Sequence, residues 1–547
     1  MTAETPACKV EAPASTPAST PVPAPRVSAA FGVLAAALAL GGAELAAALV
    51  GRPEAGPLLA VGSVFIDLSP AWLKDFAIRT FGAADKLVLL LTLAGVIAVA
   101  AGVIGTAALR RPRLAITALA GLAALAGAAA LSRPGARPAD VLPASVGAVG
   151  GTLALLYTRR GLRPRPAGQV TPAALARPGQ PVPSTAQPAR MAGAERRVLL
   201  TRGSAILGLA VLSGGAGRAI TSARRSSADG RALVLPRPAD PAGALPASVS
   251  LNVPGLSPFT TPNDAFYRVD TALIVPRVPH QEWTLRVHGL VDRPVELSFA
   301  DLLARPLSER DITLTCVSNE VGGPYAGHAR WLGVDLAALL REAGIRPGAD
   351  QILSCSADGW TASTALESVL DGRDALLAIA MNGAALPPAH GFPARMIVPG
   401  LYGYVSATKW VIDLKLTRFA DERAYWTRRG WAERAPIKTA SRIEVPKPFA
   451  EVPAGPVTVA GTAWAQHRGI AAVEVRVDDG AWRQADLAAS AGPDTWRQWQ
   501  TTWQAAPGQH RLEVRATDAT GHTQPAERLP PIPDGATGWH SVLVTVT

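Results

Sequence analysis

The sequence contains little cysteine and little histidine. Its 547 residues include three cysteines, Cys8, Cys316 and Cys355, and none of them belongs to a C-x-x-C pair. This excludes a disulfide framework, a zinc ribbon, a redox dithiol and covalently attached haem. The first of the eight histidines is His280, so the preceding residues offer no imidazole pair for haem b. Any cysteine chemistry therefore rests on single thiols.

Charged residues are also scarce. They make up 17% of the chain against 48% apolar residues, and the mean hydropathy is +0.20. A soluble multidomain protein of three or four domains, at roughly 150 residues each, carries more charge than this. We therefore expect part of the chain to lie in a membrane.

The positive charge is concentrated in one stretch. Of the formal net charge of +11, most comes from residues 158–202, which hold nine arginines and a single acid, Glu195. This stretch is rich in proline and lies between apolar segments, where arginine sets membrane orientation, whereas a nucleic-acid reader needs basic groups on a folded surface. We predict no nucleic-acid partner.

Apolar runs near the ~20 residues needed to cross a bilayer predict five membrane spans. They lie at 27–50, 86–109, 114–131, 141–157 and 203–220. The predicted organisation of this half is a disordered tail at 1–26, four transmembrane helices within 27–157, an Arg/Pro-rich cytoplasmic linker at 158–198 and a fifth transmembrane helix at 199–220.

One further apolar segment, 58–81, carries Asp67, Lys74, Asp75 and Arg79. These charges favour an interfacial loop over a sixth span.

Short loops rich in arginine indicate the orientation of the spans. Arg110, Arg111 and Arg113 mark the loop after the second span as cytoplasmic, so the N-terminus lies inside and residues beyond Thr221 lie outside the cytoplasm. The pair Arg196-Arg197 before the last span resembles a twin-arginine export signal, which would imply that the outer domain folds before export. An ordinary positive flank is the alternative interpretation.

The predicted spans carry few ionisable groups beyond Glu44 and show no internal repeat. This argues against a transporter and favours a membrane anchor, with quinone binding or docking of an electron-carrying partner as the alternative.

From about residue 246 the pattern changes to short strands and helices of an α+β domain, which we place at 246–435. Alternating residues predict strands at 283–288 and 311–316, Ser298 caps a helix that ends at Leu303, and a helix at 335–342 ends before Gly344. Asn382-Gly383 predicts a hairpin with a type I′ turn.

After residue 436 only strands are predicted, which indicates a β-sandwich of about 110 residues.

Cys316 is the strongest candidate for a reactive or metal-binding side chain, because it stands alone at a predicted strand end beside a glycine-rich loop. A thiol in this setting is a nucleophile, a metal ligand or a small core residue.

The surrounding residues resemble the sulfite oxidase family of molybdopterin oxidoreductases. The resemblance covers about residues 250–547, and the joint order of its motifs is more specific than any one of them. The motifs are Asn263–Val269, Thr313–Asn319, Ala329–Leu336, Met381–Gly383, Leu386–Pro387, His390–Arg395, Val398–Gly400, Gly403–Trp410, Tyr425–Arg429, Gly461–Trp464 and Trp496–Trp499.

The predicted fold is multidomain, with an N-terminal α-helical transmembrane bundle from the apolar runs, an α+β molybdopterin domain and a C-terminal immunoglobulin-like dimerisation domain, the last two implied by this resemblance. The resemblance also implies that Cys316 is the protein ligand to molybdenum, while Cys355 matches no ligand position and is assigned to packing. Arg268 is implied at the open side of the metal. The implied pterin-binding residues are Asn263, Tyr267, Arg268, His390, Arg395, Gly403, Tyr404, Val405, Ser406 and Lys409. Asn382-Gly383 is interpreted only as the turn.

Two positions depart from the pattern of sulfite-oxidising members. Glu320 stands where a second anion-binding arginine is expected, and Trp431 stands where a tyrosine is expected. A carboxylate in the substrate pocket would repel sulfite or nitrate, which favours a neutral sulfoxide-like substrate. In the alternative, Glu320 points to solvent.

The sequence thus predicts an extracytoplasmic, membrane-anchored molybdopterin oxidoreductase that transfers an oxygen atom with two electrons. Since no haem or iron–sulfur ligand set is recognised, a separate electron carrier, a cytochrome or a quinone-linked protein, is expected, and a homodimer through the C-terminal domain is implied. The alternatives are a sulfite oxidase proper and a non-catalytic, membrane-tethered binding module.

Overall fold

The computed structural model describes residues 25–81, 84–133, 135–162, 187–228 and 233–547. Residues 1–24 of the predicted tail and most of the predicted linker lie outside these ranges, whereas Pro25 and Arg26 are helical. The chain divides into two compact units, one formed by the described residues within 1–64, 84–132 and 136–222, and the other by those within 65–83, 133–135 and 223–547.

The N-terminal part of the chain is helical. Its helices are α1 (Pro25–Val50), α2 (Pro57–Leu68), α3 (Ala71–Phe81), α4 (Asp85–Arg110), α5 (Pro112–Leu131), α6 (Leu142–Leu162) and α7 (Gln187–Ala228).

Within the described ranges, five helical segments are long and apolar enough to cross a membrane, and each overlaps a predicted span. They are Arg26–Val50, Lys86–Ala108, Pro112–Leu131, Pro138–Arg160 and Leu200–Ala223.

Two predictions for this half need correction. The segment 58–81 is not a loop but forms α2 and α3, and α2, with 12 residues, is shorter than a membrane crossing requires. The fifth helix is also longer than predicted, because α7 begins at Gln187 within the expected linker. Its N-terminal turns are polar, so a reading based on apolar runs places the start too late.

Small residues allow close helix packing in the first unit. A Cβ atom on Gly32 of α1 would lie 2.0 Å from the backbone oxygen of Ala101 in α4. Only glycine lets the two helix backbones come this close. Small residues at the contact are usual between membrane helices, because burying apolar side chains gives little free energy in an apolar environment.

The α+β domain contains two sheets and short helices. Its strands are β1 (Thr284–Gly289), β2 (Val295–Ser298), β3 (Leu307–Thr315), β4 (Ala326–Asp335), β5 (Gln351–Ser356), β6 (Thr361–Ala365), β7 (Leu376–Met381), β8 (Ala384–Ala385), β9 (Arg395–Ile397) and β10 (Val411–Thr417). Its helices are α8 (Phe299–Leu303), α9 (Leu336–Ala343), α10 (Glu367–Leu370) and α11 (Gly403–Ser406). One sheet has the order β2-β1-β10-β5-β6, and the other has the order β3-β4-β7-β8 with β9 paired to β7.

The local predictions in this domain are confirmed. The Ser298 side chain accepts a hydrogen bond from the Asp301 amide and caps α8, and α9 ends at Gly344, whose φ is 73°. Asn382 and Gly383 have φ values of 53° and 76°, as a type I′ turn requires.

The domain begins earlier than the predicted residue 246. Leu233, Leu235 and Leu245 pack against its core, and Asp240 forms a β-bridge with Ser308. This stretch is rich in proline and shows no helical or strand periodicity, so the sequence pattern does not assign it to the domain.

The C-terminal part is a two-sheet β-sandwich, as predicted. Its strands are β11 (Ala440–Val445), β12 (Glu451–Val452), β13 (Gly455–Trp464), β14 (Ile470–Val477), β15 (Arg483–Gln484), β16 (Asp486–Leu487), β17 (Arg497–Ala505), β18 (Gly508–Asp518) and β19 (His540–Val546). The sheet orders are β11-β13-β17-β16 and β12-β19-β18-β14-β15. Val459 of one sheet and Val514 of the other belong to one buried apolar cluster, so burial between the sheets stabilises the sandwich.

The sandwich and the α+β domain share one core. Trp464 and Trp496 are buried in the same apolar cluster as the α+β strands. The Trp496 amide donates to the Thr313 hydroxyl at 2.8 Å, and its indole donates to the Phe259 carbonyl at 2.8 Å. The sandwich therefore packs directly against β3, the strand that leads to Cys316.

Candidate active site

Cys316 follows the last residue of β3, at the end of the β3–β4 pairing. The register places Thr315 opposite Ala326, and the Cys316 amide donates to the Tyr325 carbonyl at 2.9 Å. The thiol is buried, and its sulfur accepts a contact from the Ser318 amide at 3.4 Å. Burial raises the pKa of the thiol, while the Ser318 hydrogen bonds and the charge of Lys409 oppose the rise. A single thiol is thus held where β3 ends and the loop to β4 begins.

The loop after Cys316 is held from the sandwich side. Its Gly322 has φ of 80°, and a Cβ atom there would lie 2.1 Å from the ring of His540. Arg442 donates to the Gly323 carbonyl at 2.9 Å, and the Asn319 side chain accepts from the Tyr325 amide at 2.7 Å. These contacts leave the loop little freedom to move the thiol.

Arg395, the first residue of β9, is a buried cation. Its guanidinium carbon lies 5.1 Å from the centre of the Trp331 ring, and its Nη1 donates to the His390 carbonyl at 3.1 Å. Its Nε is buried and has no hydrogen-bond partner among the described residues. Burial lowers the pKa of Arg395 to about 10, which leaves it charged at neutral pH. An uncompensated buried cation with a free donor suits an anionic ligand.

Asp270 joins two of the predicted cationic residues. Its carboxylate accepts from Arg268 Nε at 2.7 Å and also pairs with Lys409. Burial lowers the pKa of Lys409 to about 8, although Asp270 acts in the opposite direction. The cluster therefore contains three cations, Arg268, Lys409 and Arg395, and one carboxylate, Asp270. Its net charge is positive.

His390 lies in the turn Pro388–His390 and is neutral at physiological pH. Burial and the charges of Arg395 and Lys409 lower its pKa to about 4. Its Nε2 lies 3.0 Å from the Asn263 carbonyl, which fixes the proton on that nitrogen and leaves Nδ1 as an acceptor. The Asn263 side chain is held in turn by Asn382, whose amide donates to it at 2.8 Å. The hairpin residue Asn382, interpreted from the sequence only as a turn, thus also orients Asn263.

Tyr267 connects this group to Cys316. Its ring stacks on Phe266 at a centroid distance of 5.2 Å, and Phe266 packs edge-on against His390 at 5.6 Å. Burial raises the pKa of Tyr267, and the charge of Cys316 adds a smaller rise, so the Tyr267 hydroxyl stays protonated. The hydroxyl is available as a neutral donor.

The predicted cofactor loop forms the short helix α11 beside the strand end. A Cβ atom on Gly403 would lie 3.8 Å from the Thr315 carbonyl, so the loop lies against the residue before Cys316. The Ser406 hydroxyl donates to Leu401 and Tyr402 carbonyls, both at 3.0 Å, and the Tyr404 hydroxyl donates to Ala432 at 2.7 Å. The hydroxyl proton of Ser406 is thus directed to two carbonyls of its own segment, and that of Tyr404 is directed to Ala432. Val405 is buried, and its carbonyl accepts from Thr364 at 2.6 Å.

The two departing positions differ in burial. Glu320 is exposed, and its carboxylate makes no ion pair or hydrogen bond within the described parts of the chain. Trp431 is buried between Tyr404, at 5.7 Å, and Trp426, at 6.0 Å between ring centroids, and its indole Nε1 has no hydrogen-bond partner among the described residues. Trp431 therefore contacts the cofactor loop through Tyr404, whereas Glu320 lies on the solvent side.

Cys355 lies apart from this group, on β5. It is paired in register with Asp413, its sulfur contacts the Ser356 carbonyl at 3.5 Å, and burial raises its pKa to about 11. Its surroundings suit packing rather than ligation.

Asp270 is the residue that the sequence interpretation missed. It lies two residues beyond Arg268, just outside the motif used for the resemblance. An acid near an arginine in a segment with few charges was the available indication, but its second partner, Lys409, is remote in sequence.

Comparisons with known proteins bear on the family of the chain. Residues 272–426 match the family described as "Oxidoreductase molybdopterin binding domain". An uncharacterised oxidoreductase of Bacillus subtilis, YuiH, is 35% identical over 162 residues, which cover 28% of this chain and 76% of that protein. Sulfite oxidase of Gallus gallus is 29% identical over 323 residues, 50% of this chain and 69% of that protein. The crystal structure of the sulfane dehydrogenase SoxCD of Paracoccus pantotrophus is similar over 49% of this chain and 75% of that chain, at 26% identity and a TM-score of 0.44.

The family match and the two relatives show that the chain belongs to the molybdopterin-binding oxidoreductases of the sulfite oxidase type. The matched region contains Cys316, Glu320, His390, Arg395 and the loop through Lys409. Asn263, Tyr267 and Arg268 precede it and Trp431 follows it, so their roles rest on the geometry and on the resemblance.

Proposed function

We propose that this protein is a membrane-anchored oxidoreductase that transfers an oxygen atom with two electrons on the extracytoplasmic side, with Cys316 as the protein ligand to molybdenum. The observation that carries the proposal is the juxtaposition of one buried thiol with a net positive cluster in which Arg395 and Lys409 are buried or nearly so. The charge of Lys409 opposes the rise in the pKa of Cys316, Arg395 lowers the pKa of Lys409, and Cys316 and Arg395 both act on the pKa of Tyr267.

The residues present fit a molybdenum–pterin group. A soft metal held by dithiolene sulfurs takes one further thiolate, which Cys316 supplies. The pterin carries a phosphate, and the free Nε of Arg395 offers a buried, charged donor for an anion. When bound, the group supplies the two-electron redox change on which oxygen-atom transfer depends.

The other side chains of the site would hold and orient the molybdenum–pterin group. Lys409, fixed by Asp270, adds a second cation, and Nδ1 of the neutral His390 accepts hydrogen bonds from a ring N–H. Gly403 and the backbone of α11 close the site against Thr315. Tyr267 keeps its proton and donates without carrying charge.

For the substrate, we favour a neutral sulfoxide-like molecule. Arg268 is the implied anion-binding residue, but Asp270 already pairs with it, and Glu320 adds a carboxylate in the loop after Cys316. The Asp270 pair reduces the attraction of Arg268 for an anion, whereas Glu320, which is exposed, adds only a repulsion that solvent screens. Sulfite is the second candidate, because the chain resembles proteins named sulfite oxidase and the buried cluster as a whole is positive.

The five candidate spans support the anchor, and the arginine-rich stretch supports an N-terminus inside and a catalytic domain outside. A separate one-electron or quinone-linked carrier completes the redox cycle in this proposal. The sandwich is the proposed surface for a homodimer.

The test uses full-length protein purified in detergent. We expect wild type to contain molybdenum and pterin, and to reduce sulfoxides with a reduced artificial dye faster than it reduces nitrate with that dye or oxidises sulfite with an oxidised dye. Arg395→Gln should lose most of the cofactor, whereas Arg305→Gln, which removes only a surface pair with Glu342, should keep it. Absence of molybdenum and pterin from wild type, or equal cofactor content in both variants, would contradict the proposal.

A further inference from the structure

The ring of His540, the first residue of β19 in the sandwich, lies against the loop that follows Cys316. A Cβ atom on Gly322 would lie 2.1 Å from Cδ2 and 2.2 Å from Nε2 of this ring, so the ring reaches the backbone of the loop directly. The Ile443 amide of β11 donates to Nδ1 of His540 at 2.9 Å, and this hydrogen bond fixes the orientation of the ring. The ring therefore occupies the space that a side chain at position 322 would need.

Arg442 of β11 holds the next residue of the same loop. Its Nη1 donates to the Gly323 carbonyl at 2.9 Å, and its Nε donates to Glu444 at 2.8 Å. The Glu444 carboxylate also accepts from the Ser257 amide at 2.7 Å and from the Thr462 hydroxyl at 2.9 Å. The side chains of Arg442 and Glu444 are only 9% and 6% exposed. Buried hydrogen bonds thus fix the guanidinium that reaches the loop.

Hydrogen bonds inside the loop connect these contacts to Cys316. The Gly323 amide donates to the Glu320 carbonyl at 2.8 Å, and the Asn319 amide donates to the Cys316 carbonyl at 3.1 Å. The Tyr325 amide donates to the Asn319 side chain at 2.7 Å, and the Tyr325 carbonyl accepts from the Cys316 amide at 2.9 Å. A displacement of the loop glycines would therefore move the segment that bears the thiol.

We propose that the sandwich completes the metal-ligand site within one chain, with His540 and Arg442 as positioning residues that set the place of the Cys316 thiol through the loop glycines. This is a role apart from the homodimer surface proposed above, because the contacts do not involve a second copy. The inference rests on the proposed function for the part that makes the thiol a ligand. The restraint on the loop is a property of the chain alone.

The test compares local with global opening of the purified full-length protein. Hydrogen exchange of the amides in residues 316–325 reports opening of the loop, and exchange in β5 and β6 reports opening elsewhere in the α+β domain. His540→Ala should raise exchange in the loop by about tenfold with little change in β5 and β6. His540→Asn, which keeps an acceptor for the Ile443 amide, should have a smaller effect. The matched control is His522→Ala, which alters an exposed histidine of the sandwich and should match wild type.

A double-mutant cycle tests whether the ring acts through its contact with the loop backbone. Gly322→Ala places a Cβ atom in the space of the His540 ring at a φ of 80°. The control Gly521→Ala has a similar φ of 87°, but its Cβ atom would meet no heavy atom within 4 Å among the described residues. Gly322→Ala should open the loop, and this effect should be about tenfold smaller when His540→Ala has freed the space. Gly521→Ala should have the same small effect in either background.

Molybdenum retained after dialysis measures the consequence for the site. His540→Ala should lose molybdenum faster than wild type and His522→Ala should not, with thermal unfolding as the check on the fold. The inference is overturned if folded His540→Ala leaves loop exchange or molybdenum retention unchanged, if the loop and β5 open equally, or if Gly322→Ala acts equally in both backgrounds. Absence of molybdenum from wild type would contradict the proposed function, whereas the exchange results would still decide whether the sandwich restrains the loop.

Discussion

The carboxylate of Asp270 and the ammonium of Lys409 form an ion pair in which both side chains are nearly buried, with 7% and 10% of their surfaces exposed. Because the same carboxylate also accepts from Arg268, it links the segment that enters the α+β domain to the loop that follows α11. The pair holds the cationic cluster together across 139 residues of sequence.

Asp270→Asn should destabilise the protein, because it leaves two cations without their shared counter-charge. We expect a loss of about 3 kcal/mol in the free energy of unfolding, as is common when one partner of a buried pair is removed. Asp292→Asn is the control, since Asp292 and Arg346 form an exposed pair and its loss should cost less than ~1 kcal/mol. Denaturant titration of the purified protein measures both values. Equal effects would show that burial does not strengthen the Asp270 pair.

The local structure around the site could be read from the sequence, because it depends on neighbouring residues. The Ser298 cap, the stop at Gly344 and the Asn382-Gly383 turn each need only a few adjacent residues, and all were predicted correctly. The strand before Cys316 was predicted from its alternation, although β3 begins at Leu307, earlier than expected.

The missed features depend on contacts between remote segments. Asn382 reaches Asn263 across 119 residues, and Asp270 reaches Lys409 across 139, and no local pattern encodes either contact.

Cys316→Ser should abolish turnover and lower the molybdenum content, because a hydroxyl is a poor substitute for a soft thiolate ligand. Cys355→Ser should retain most of both, since Cys355 lies apart from the cationic cluster and is only half-buried. Metal analysis and dye-linked turnover on the same preparations separate the two variants. If both lose activity equally while remaining folded, the assignment of Cys316 as ligand is wrong.

The buried Arg442–Glu444 pair predicts a loss of stability in acid. Burial alone would raise the pKa of Glu444, but Arg442 and the hydrogen bonds with Ser257 outweigh burial and hold the pKa below its ordinary value of 4.5. The ionised carboxylate therefore stabilises the fold above pH 4.5, and this contribution is lost as the pH falls below that value toward the folded-state pKa.

Glu444→Gln should be less stable than wild type at pH 7, and its stability should fall less steeply between about pH 5 and pH 3. Thermal unfolding across this pH range provides the comparison. Glu527→Gln, which alters an exposed carboxylate of the same domain, should follow the wild-type curve. Parallel curves for wild type and Glu444→Gln would mean that Glu444 does not contribute to the acid sensitivity.

The Arg196-Arg197 pair lies in α7 just before the candidate span Leu200–Ala223. The double substitution Arg196→Lys with Arg197→Lys keeps the positive charge, so it should leave membrane orientation unchanged by the positive-inside rule. If the pair is an export signal, the variant should retain residues beyond Thr221 in the cytoplasm while the first four spans insert. Protease accessibility in spheroplasts measures this, with Arg110→Lys plus Arg111→Lys as the control. Normal exposure of the outer domain would leave the pair as an orientation charge only.

Glu320→Arg tests the choice between a neutral and an anionic substrate. Replacing a carboxylate by a cation in the loop after Cys316 should raise the ratio of kcat/KM for sulfite to kcat/KM for a sulfoxide. Because Glu320 is exposed, solvent screens its charge, and we expect a rise of up to about tenfold at low ionic strength that fades with added salt. A carboxylate enclosed in the pocket would instead give a rise on the order of a hundredfold that salt hardly changes. Glu296→Arg, at an exposed position of β2, controls for the change in overall charge. An unchanged ratio in a folded, molybdenum-loaded variant would mean that Glu320 does not act on the substrate, and the preference for a neutral substrate would then rest on the pairing of Asp270 with Arg268 alone.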